Sequence, residues 1–157
     1  MLLLRVVASK SAMLILSLFV IVAAAESLIQ QFSQIYSFFS NGTFNVDIEL
    51  EEDIAIILVC LGVVLEERGM FTMKFYDGNI SPLDEMLNTY ACEAGTYCLL
   101  FGLVMEVLDQ LYNSIVLLGE WSAFLAALVI FLFHGASIYI LLEFSRKVLA
   151  ASSRLAE

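Results

Sequence analysis

Four long apolar stretches constrain this chain more than any other feature of its sequence. They lie at about 11–32, 53–71, 90–111 and 121–144. Each is close to the length of about 20 residues that a helix needs to cross a hydrocarbon core of about 30 Å. Backbone groups in lipid must find partners within the protein, so only helices and closed barrels span a membrane. We therefore predict an all-α membrane protein, in which residues 1–157 form one domain of four transmembrane helices.

The composition agrees with this prediction and excludes several classes of protein. Of the 157 residues, 61% are apolar and 15% are charged, whereas soluble proteins average about 45–50% and about 25%. A disordered chain would be far less hydrophobic, a nucleic-acid-binding protein would be basic, and a disulfide scaffold would hold more than three cysteines. The expected partners are the lipid bilayer and either other membrane protein subunits or further copies of this chain, without nucleic acid.

The first span is expected to be a retained helix, although a cleaved signal peptide is the alternative. Arg5 and Lys10 form a basic leader, and Ala23, Ala24 and Ala25 resemble a cleavage site after a short apolar run.

The distribution of positive charge predicts the orientation. Four spans place all the basic residues on one side of the membrane: Arg5, Lys10, Arg68, Lys74, Arg146, Lys147 and Arg154. Basic residues near the ends of spans favour the cytoplasmic side, so both termini are predicted to be cytoplasmic in an up-down-up-down bundle. The 33–53 loop on the opposite side is acidic, and the short 112–120 turn should make the third and fourth spans neighbours.

The 33–53 loop carries two further signals. Asn41-Gly42 lies between aromatic and alternating apolar residues, a pattern that predicts a small hairpin at the membrane interface or a re-entrant turn. Asn41-Gly42-Thr43 is also a sequon for N-glycosylation.

Ionisable residues within spans are costly and are therefore candidates for function. They are Glu26, Glu66, Glu67, Glu93, Glu106, His134 and Glu143. The second and third spans also share a pattern at an offset of 40 residues: Asp53, Gly62 and Glu66 match Glu93, Gly102 and Glu106.

This repeat has two interpretations. In one, Asp53, Glu66, Glu93 and Glu106 form part of an ion or proton path, because inverted repeats are common in transporters. In the other, which we favour, Gly62 and Gly102 allow two helices to pack closely while the carboxylates lie near the helix ends. Glu106 and Asp109 should then share a face directed towards protein or the outer interface.

His134 is the only histidine, and it lies near the middle of the fourth span. Hydrogen-bonded packing is the favoured interpretation, whereas cofactor binding would need a partner to complete a haem or pigment site. The sequence requires no cofactor and shows no metal-ligand spacing among its cysteines, Cys60, Cys92 and Cys98.

The sequence contains no recognisable catalytic motif, so no catalytic residues are assigned. We predict a non-catalytic integral membrane subunit of a larger complex, which packs against partner subunits or their cofactors. The alternatives are a small homo-oligomeric ion or proton translocator that uses the four carboxylates, and an electron-transfer subunit that uses His134.

Overall fold

The structure is a computed structural model that describes residues 9–41, 49–75, 80–116 and 119–153. Its helices are α1 (Lys10–Asn41), α2 (Glu49–Glu66), α3 (Arg68–Phe75), α4 (Pro82–Val116) and α5 (Glu120–Ser153). Helix accounts for 96% of the described residues, and no strand occurs among them. The predicted all-α class is confirmed.

Three of the described helices are long and apolar enough to cross a membrane. The qualifying segments are Lys10–Ser40 in α1, Pro82–Leu108 in α4 and Trp121–Ala151 in α5. The predicted second span corresponds to α2 and the start of α3, with a break at Glu67. α2 has only 18 residues, and its acidic side chains lower its hydropathy: Glu49, Glu51, Glu52, Asp53 and Glu66. The structure thus supports a multi-pass membrane protein with three such helices in its described part.

The helices extend beyond the apolar windows, so the predicted loop boundaries were wrong. α1 continues to Asn41, and α2 begins at Glu49. The 33–53 loop is therefore helical over 33–41 and 49–53, and the aromatic run at 36–39 belongs to α1 rather than to a hairpin. Residues 42–48 of the predicted hairpin lie outside the described residues. Hydropathy marks where a chain is apolar, whereas a helix continues as long as its hydrogen bonds and packing persist.

Packing of aromatic residues explains the extra length of α1. The Phe38 ring stacks on Phe124 with centroids 4.7 Å apart, and Trp121 approaches Phe38 edge-on at 5.3 Å. These contacts join the end of α1 to the start of α5.

Local capping explains why α4 begins at Pro82, eight residues before the predicted span. The amide of Asp84 donates to Ser81 Oγ (3.1 Å), and the Ser81 hydroxyl donates to Asp84 Oδ2 (2.7 Å). Proline suits the first helical position because its missing N–H would have no partner there. Before α5, Gly119 has a φ of 120°, a conformation that glycine adopts without strain.

The long helices pack mainly as antiparallel pairs. α4 packs against α2 and α5, and α5 also packs against α1. Gly62 of α2 lies against Gly95 of α4, while Gly102 further along α4 lies against Ala55 at the start of α2. The Phe101–Phe133 ring contact joins α4 to α5. As a result, the start of α1, the start of α4 and the end of α5 lie at one end of the molecule, called here the basic end because it carries Lys10, Arg146 and Lys147.

The outer surface of these helices is apolar. Only 28–33% of the most apolar window of each qualifying helix is buried. Large exposed side chains include Phe19, Ile29, Leu103, Leu132 and Leu142. Such a surface suits acyl chains and would be unfavourable in water.

Candidate functional site

Glu26 is exposed on the outer face of α1, among apolar side chains. Its neighbours at helical spacing are Ile15, Phe19, Val22 and Ile29, which are 60–68% exposed. Within the part of the chain that the structure describes, Glu26 makes no hydrogen bond or ion pair. We call these five residues the Glu26 face.

The contact between α1 and α5 shows how deep Glu26 lies. Its neighbour Ser27 approaches His134, with Ser27 Oγ 3.5 Å from His134 Nε2. His134 is 13 residues after Trp121 and 10 residues before Phe144, or about 20 Å and about 15 Å at the helical rise of 1.5 Å per residue. Glu26 of α1 therefore lies level with the middle of the apolar part of α5.

His134 belongs to a fully buried polar cluster with Ser27 and Gln31 of α1. Gln31 Nε2 lies 3.4 Å from Ser27 Oγ and 3.3 Å from His134 Nδ1. His134 Nδ1 also lies 3.1 Å from the carbonyl oxygen of Ile130. A carbonyl can only accept, so the contact with Ile130 places the proton on Nδ1. In this tautomer Nε2 accepts from the Ser27 hydroxyl, and the Gln31 amide donates to Ser27 Oγ rather than to the ring.

This geometry fits a histidine that fastens α5 to α1. Both ring nitrogens face partners within the protein, and the side chain is 0% exposed. Among the described residues, no group of three or more His, Cys, Asp or Glu side chains is placed to hold a metal ion. Of the cysteines, Cys98 is buried, whereas Cys60 and Cys92 are exposed.

The four carboxylates of the proposed ion path are not brought together. Asp53 and Glu66 are exposed near opposite ends of α2. Glu93 of α4 accepts from Lys147 Nζ of α5 at 3.2 Å. Glu106 accepts from Gln110 Nε2 at 3.0 Å through Oε1, while its Oε2 is buried with no partner in the described part of the chain.

The remaining ionisable candidate in α5, Glu143, accepts from Arg146 at 2.8 Å on the same helix. Glu67 lies at the α2–α3 break and is half-buried. The side chain of Asp109, which was predicted to share a face with Glu106, lies outside the described residues.

The backbones of α2 and α4 approach each other closely at glycines, where no side chain separates them. A Cβ atom at Gly62 would lie 2.7 Å from the Leu99 amide nitrogen and 2.8 Å from the Gly95 carbonyl oxygen. A Cβ at Gly102 would lie 2.8 Å from the Ala55 carbonyl oxygen. Backbones this close leave no space for a water-filled path between the two helices at these levels.

Gly95 takes part in the same contact but was not identified from the sequence. A Cβ there would meet Glu66 N and Gly62 O, each at 2.7 Å. One sequence pattern could have identified it. Small residues recur seven positions apart on both helices, at Ala55 and Gly62 in α2 and at Gly95 and Gly102 in α4. This spacing keeps the small residues on one helical face.

Arg68 forms a second buried polar cluster that the sequence did not reveal. It was predicted only as one of the basic residues near a loop, yet its side chain is 3% exposed and Nη2 lies 3.5 Å from Asp84 Oδ1 of α4. Nη1 donates to Asn88 Oδ1 and to the Asp84 carbonyl oxygen. Thr72 also donates to Asn88 Oδ1, at 3.3 Å. This cluster joins α3 to the start of α4.

Comparison with known proteins adds no functional information: no protein-family model, curated protein or solved structure matches this chain.

Proposed function

We propose that this chain is a non-catalytic integral membrane subunit, which joins a larger membrane protein assembly through the Glu26 face. The exposure of Glu26 among apolar side chains is the observation that carries the proposal. An acidic side chain at the middle of a span costs about 2.5–3.5 kcal/mol on insertion scales. A partner helix that donates hydrogen bonds to Glu26 would offset this cost.

The apolar residues of the Glu26 face favour the same interpretation. Lipid tails are as apolar as leucine, so apolar contact gives helices little reason to associate within a membrane. Polar groups and close packing provide the specificity instead. The partner is another membrane protein or a second copy of this chain, and it should present a hydrogen-bond donor at the depth of Glu26.

Four spans in an up-down-up-down bundle form part of the proposal, with α2 and the start of α3 as the second span. The antiparallel contacts of α2 with α4, α4 with α5 and α1 with α5 support this arrangement. The basic end is assigned to the cytoplasm because positive charge near span ends favours that side.

A translocator that uses Asp53, Glu66, Glu93 and Glu106 has less support. Glu93 is already ion-paired with Lys147, and the glycine contacts close the α2–α4 interface. The cavity between α4 and α5 is lined by Glu93 but by none of the other three carboxylates.

The proposal is tested by purifying the tagged chain from its native membrane in mild detergent. The wild-type chain should elute as an oligomer or with another membrane protein, whereas Glu26→Leu should elute alone. Glu85→Leu is the matched control, because Glu85 is also exposed but lies in the first turn of α4, away from the Glu26 face. A wild-type chain that is monodisperse and alone would contradict the proposal.

A further inference from the structure

A groove runs along the outside of the protein between α4 and α5, towards the basic end. It comprises two adjoining cavities of about 330 Å³ each, which share Tyr90 and Lys147. Ala94, Ala136 and Ile140 line the inner cavity. Tyr97 and Tyr139, also in its lining, are 44% and 69% exposed, so the groove opens outwards.

Two cations lie at one end of this groove, each paired with a carboxylate. Lys147 Nζ lies 3.2 Å from Glu93 Oε2 and 5.3 Å from the centre of the Tyr90 ring. Arg146 borders the outer cavity and is bonded to Glu143 at 2.8 Å, yet its side chain is 77% exposed. An ammonium group has three N–H donors and a guanidinium has five, so both retain donors beyond these pairs.

The other end of the groove is apolar, lined by Ala94, Ala136 and Ile140. About one helical turn beyond the lining residues Tyr97 and Ala136, the rings of Phe101 and Phe133 meet edge-on, with centroids 5.2 Å apart. Lys147 and Ala136 are eleven residues apart on α5 (147 − 136), which is about 16 Å at the helical rise of 1.5 Å per residue. This length is close to half of a hydrocarbon core of about 30 Å, that is, to the thickness of one leaflet.

We propose that this groove binds a phospholipid of the leaflet nearest the basic end. One acyl chain lies against Ala94, Ala136 and Ile140, and the phosphate accepts hydrogen bonds from Arg146 and Lys147. Arginine and lysine are suited to phosphate oxygens because their bonds are charge-assisted. Carboxylates in the lining do not repel the phosphate strongly, since Glu93 and Glu143 are each paired with one of these cations. This proposal rests on the chain being embedded in lipid, but it does not depend on a partner at the Glu26 face.

Native mass spectrometry of the purified full-length chain tests this site. The chain is delipidated in detergent, then reloaded with either phosphatidylglycerol or diacylglycerol of the same acyl composition. We expect one phosphatidylglycerol to be retained in preference to diacylglycerol. Arg146→Gln with Lys147→Gln should weaken retention by about tenfold or more, because each charge-assisted hydrogen bond contributes about that factor. Ala136→Leu, which fills the apolar part, should also weaken retention.

Two controls separate a specific site from lipid bound around the protein. Lys74→Gln removes an exposed cation from α3, and Ala12→Leu enlarges a half-buried residue of α1; both should retain the lipid. Glu26→Leu should retain it as well, which keeps this result independent of the subunit proposal. Arg146 is mostly exposed, so Arg146→Gln should leave the fold intact even if Ala136→Leu does not. Equal retention of diacylglycerol, full retention by the Arg146 and Lys147 variants, or equal loss in the controls would overturn the proposal.

Discussion

At the scale of single residues, two buried polar clusters fasten helices together. His134 of α5 contacts Ser27 and Gln31 of α1, and Arg68 of α3 contacts Asp84 and Asn88 of α4. Removing one member of such a cluster costs more than the hydrogen bond contributes, because the other member is left buried without its partner. Substitutions within these clusters should therefore affect stability well beyond what exposed residues do.

Replacing His134 with leucine should lower the free energy of unfolding by about 1–3 kcal/mol, because the Ser27 hydroxyl loses its acceptor. In a double-mutant cycle with Ser27→Ala, we expect a coupling of about 0.5–1.5 kcal/mol. Ser145→Ala is the control partner, since the one hydrogen bond of the Ser145 side chain in the described part of the chain goes to Leu141 of its own helix. Its effect should be additive with that of His134→Leu. Unfolding in mixed micelles measures these values. Additive effects of His134→Leu and Ser27→Ala would show that the two residues do not interact.

Arg68→Ala should be destabilising by about 3 kcal/mol, the lower part of the range for breaking a buried pair, because Asp84 is 22% exposed. Lys74→Ala on the same helix removes an exposed cation and should change stability by less than about 0.5 kcal/mol. The same unfolding experiment compares them. If both variants changed the stability by a similarly small amount, Arg68 would be exposed to solvent rather than buried.

The sequence predicted the depth of His134 but not its partners. Ser27 and Gln31 lie 107 and 103 residues away along the chain, and only the register of α1 against α5 brings them to the ring. For a similar reason, Arg68 was counted only as one of the cations on the cytoplasmic side. Its burial depends on how α3 packs against α4, which no local pattern in the sequence encodes.

At the scale of helices, backbone proximity sets the α2–α4 contact. Gly62 and Gly102 were predicted at helix contacts from the internal repeat, and both lie against the facing backbone. The helix ends were harder to predict than the helices themselves. Ser81, Pro82 and Asp84 form a capping pattern that is visible in the sequence but lies outside the apolar windows that defined the spans.

Replacing glycine with alanine should have opposite effects at different positions. Gly62→Ala and Gly95→Ala place a methyl group within 2.7–2.8 Å of backbone atoms and should each destabilise the protein by about 1–3 kcal/mol. At Gly69 and Gly135 the nearest atoms are 3.9 and 3.8 Å away. Alanine there should stabilise by up to about 1 kcal/mol, because it favours helix. Thermal unfolding in detergent distinguishes the two groups, and equal destabilisation at all four positions would contradict the close α2–α4 contact.

At the scale of the whole molecule, the four-span topology makes a prediction about sidedness. In a cysteine-free background, single cysteines at Ser40 and Glu120 should be labelled from one side of the membrane. Cysteines at Lys74 and Arg154 should be labelled from the other side, because an even number of spans separates them from the N-terminus. Labelling of the Lys74 and Ser40 positions from the same side would show that α2 and α3 do not cross the membrane.

Site-specific photocrosslinking in native membranes tests whether the chain associates with another protein through the Glu26 face. The crosslinking residue replaces Ile29, which is 68% exposed on that face, and in a control it replaces Leu132 of α5, which is 61% exposed. Leu28 of α1 contacts Gly135 of α5. Positions 29 and 132 are close to these two residues along their helices, so both lie at a similar depth. Association through this face predicts a protein adduct from position 29 that is lost with Glu26→Leu, and crosslinking at position 132 that Glu26→Leu leaves unchanged. Adducts with lipid alone at position 29, or a protein adduct there that persists in Glu26→Leu, would contradict it.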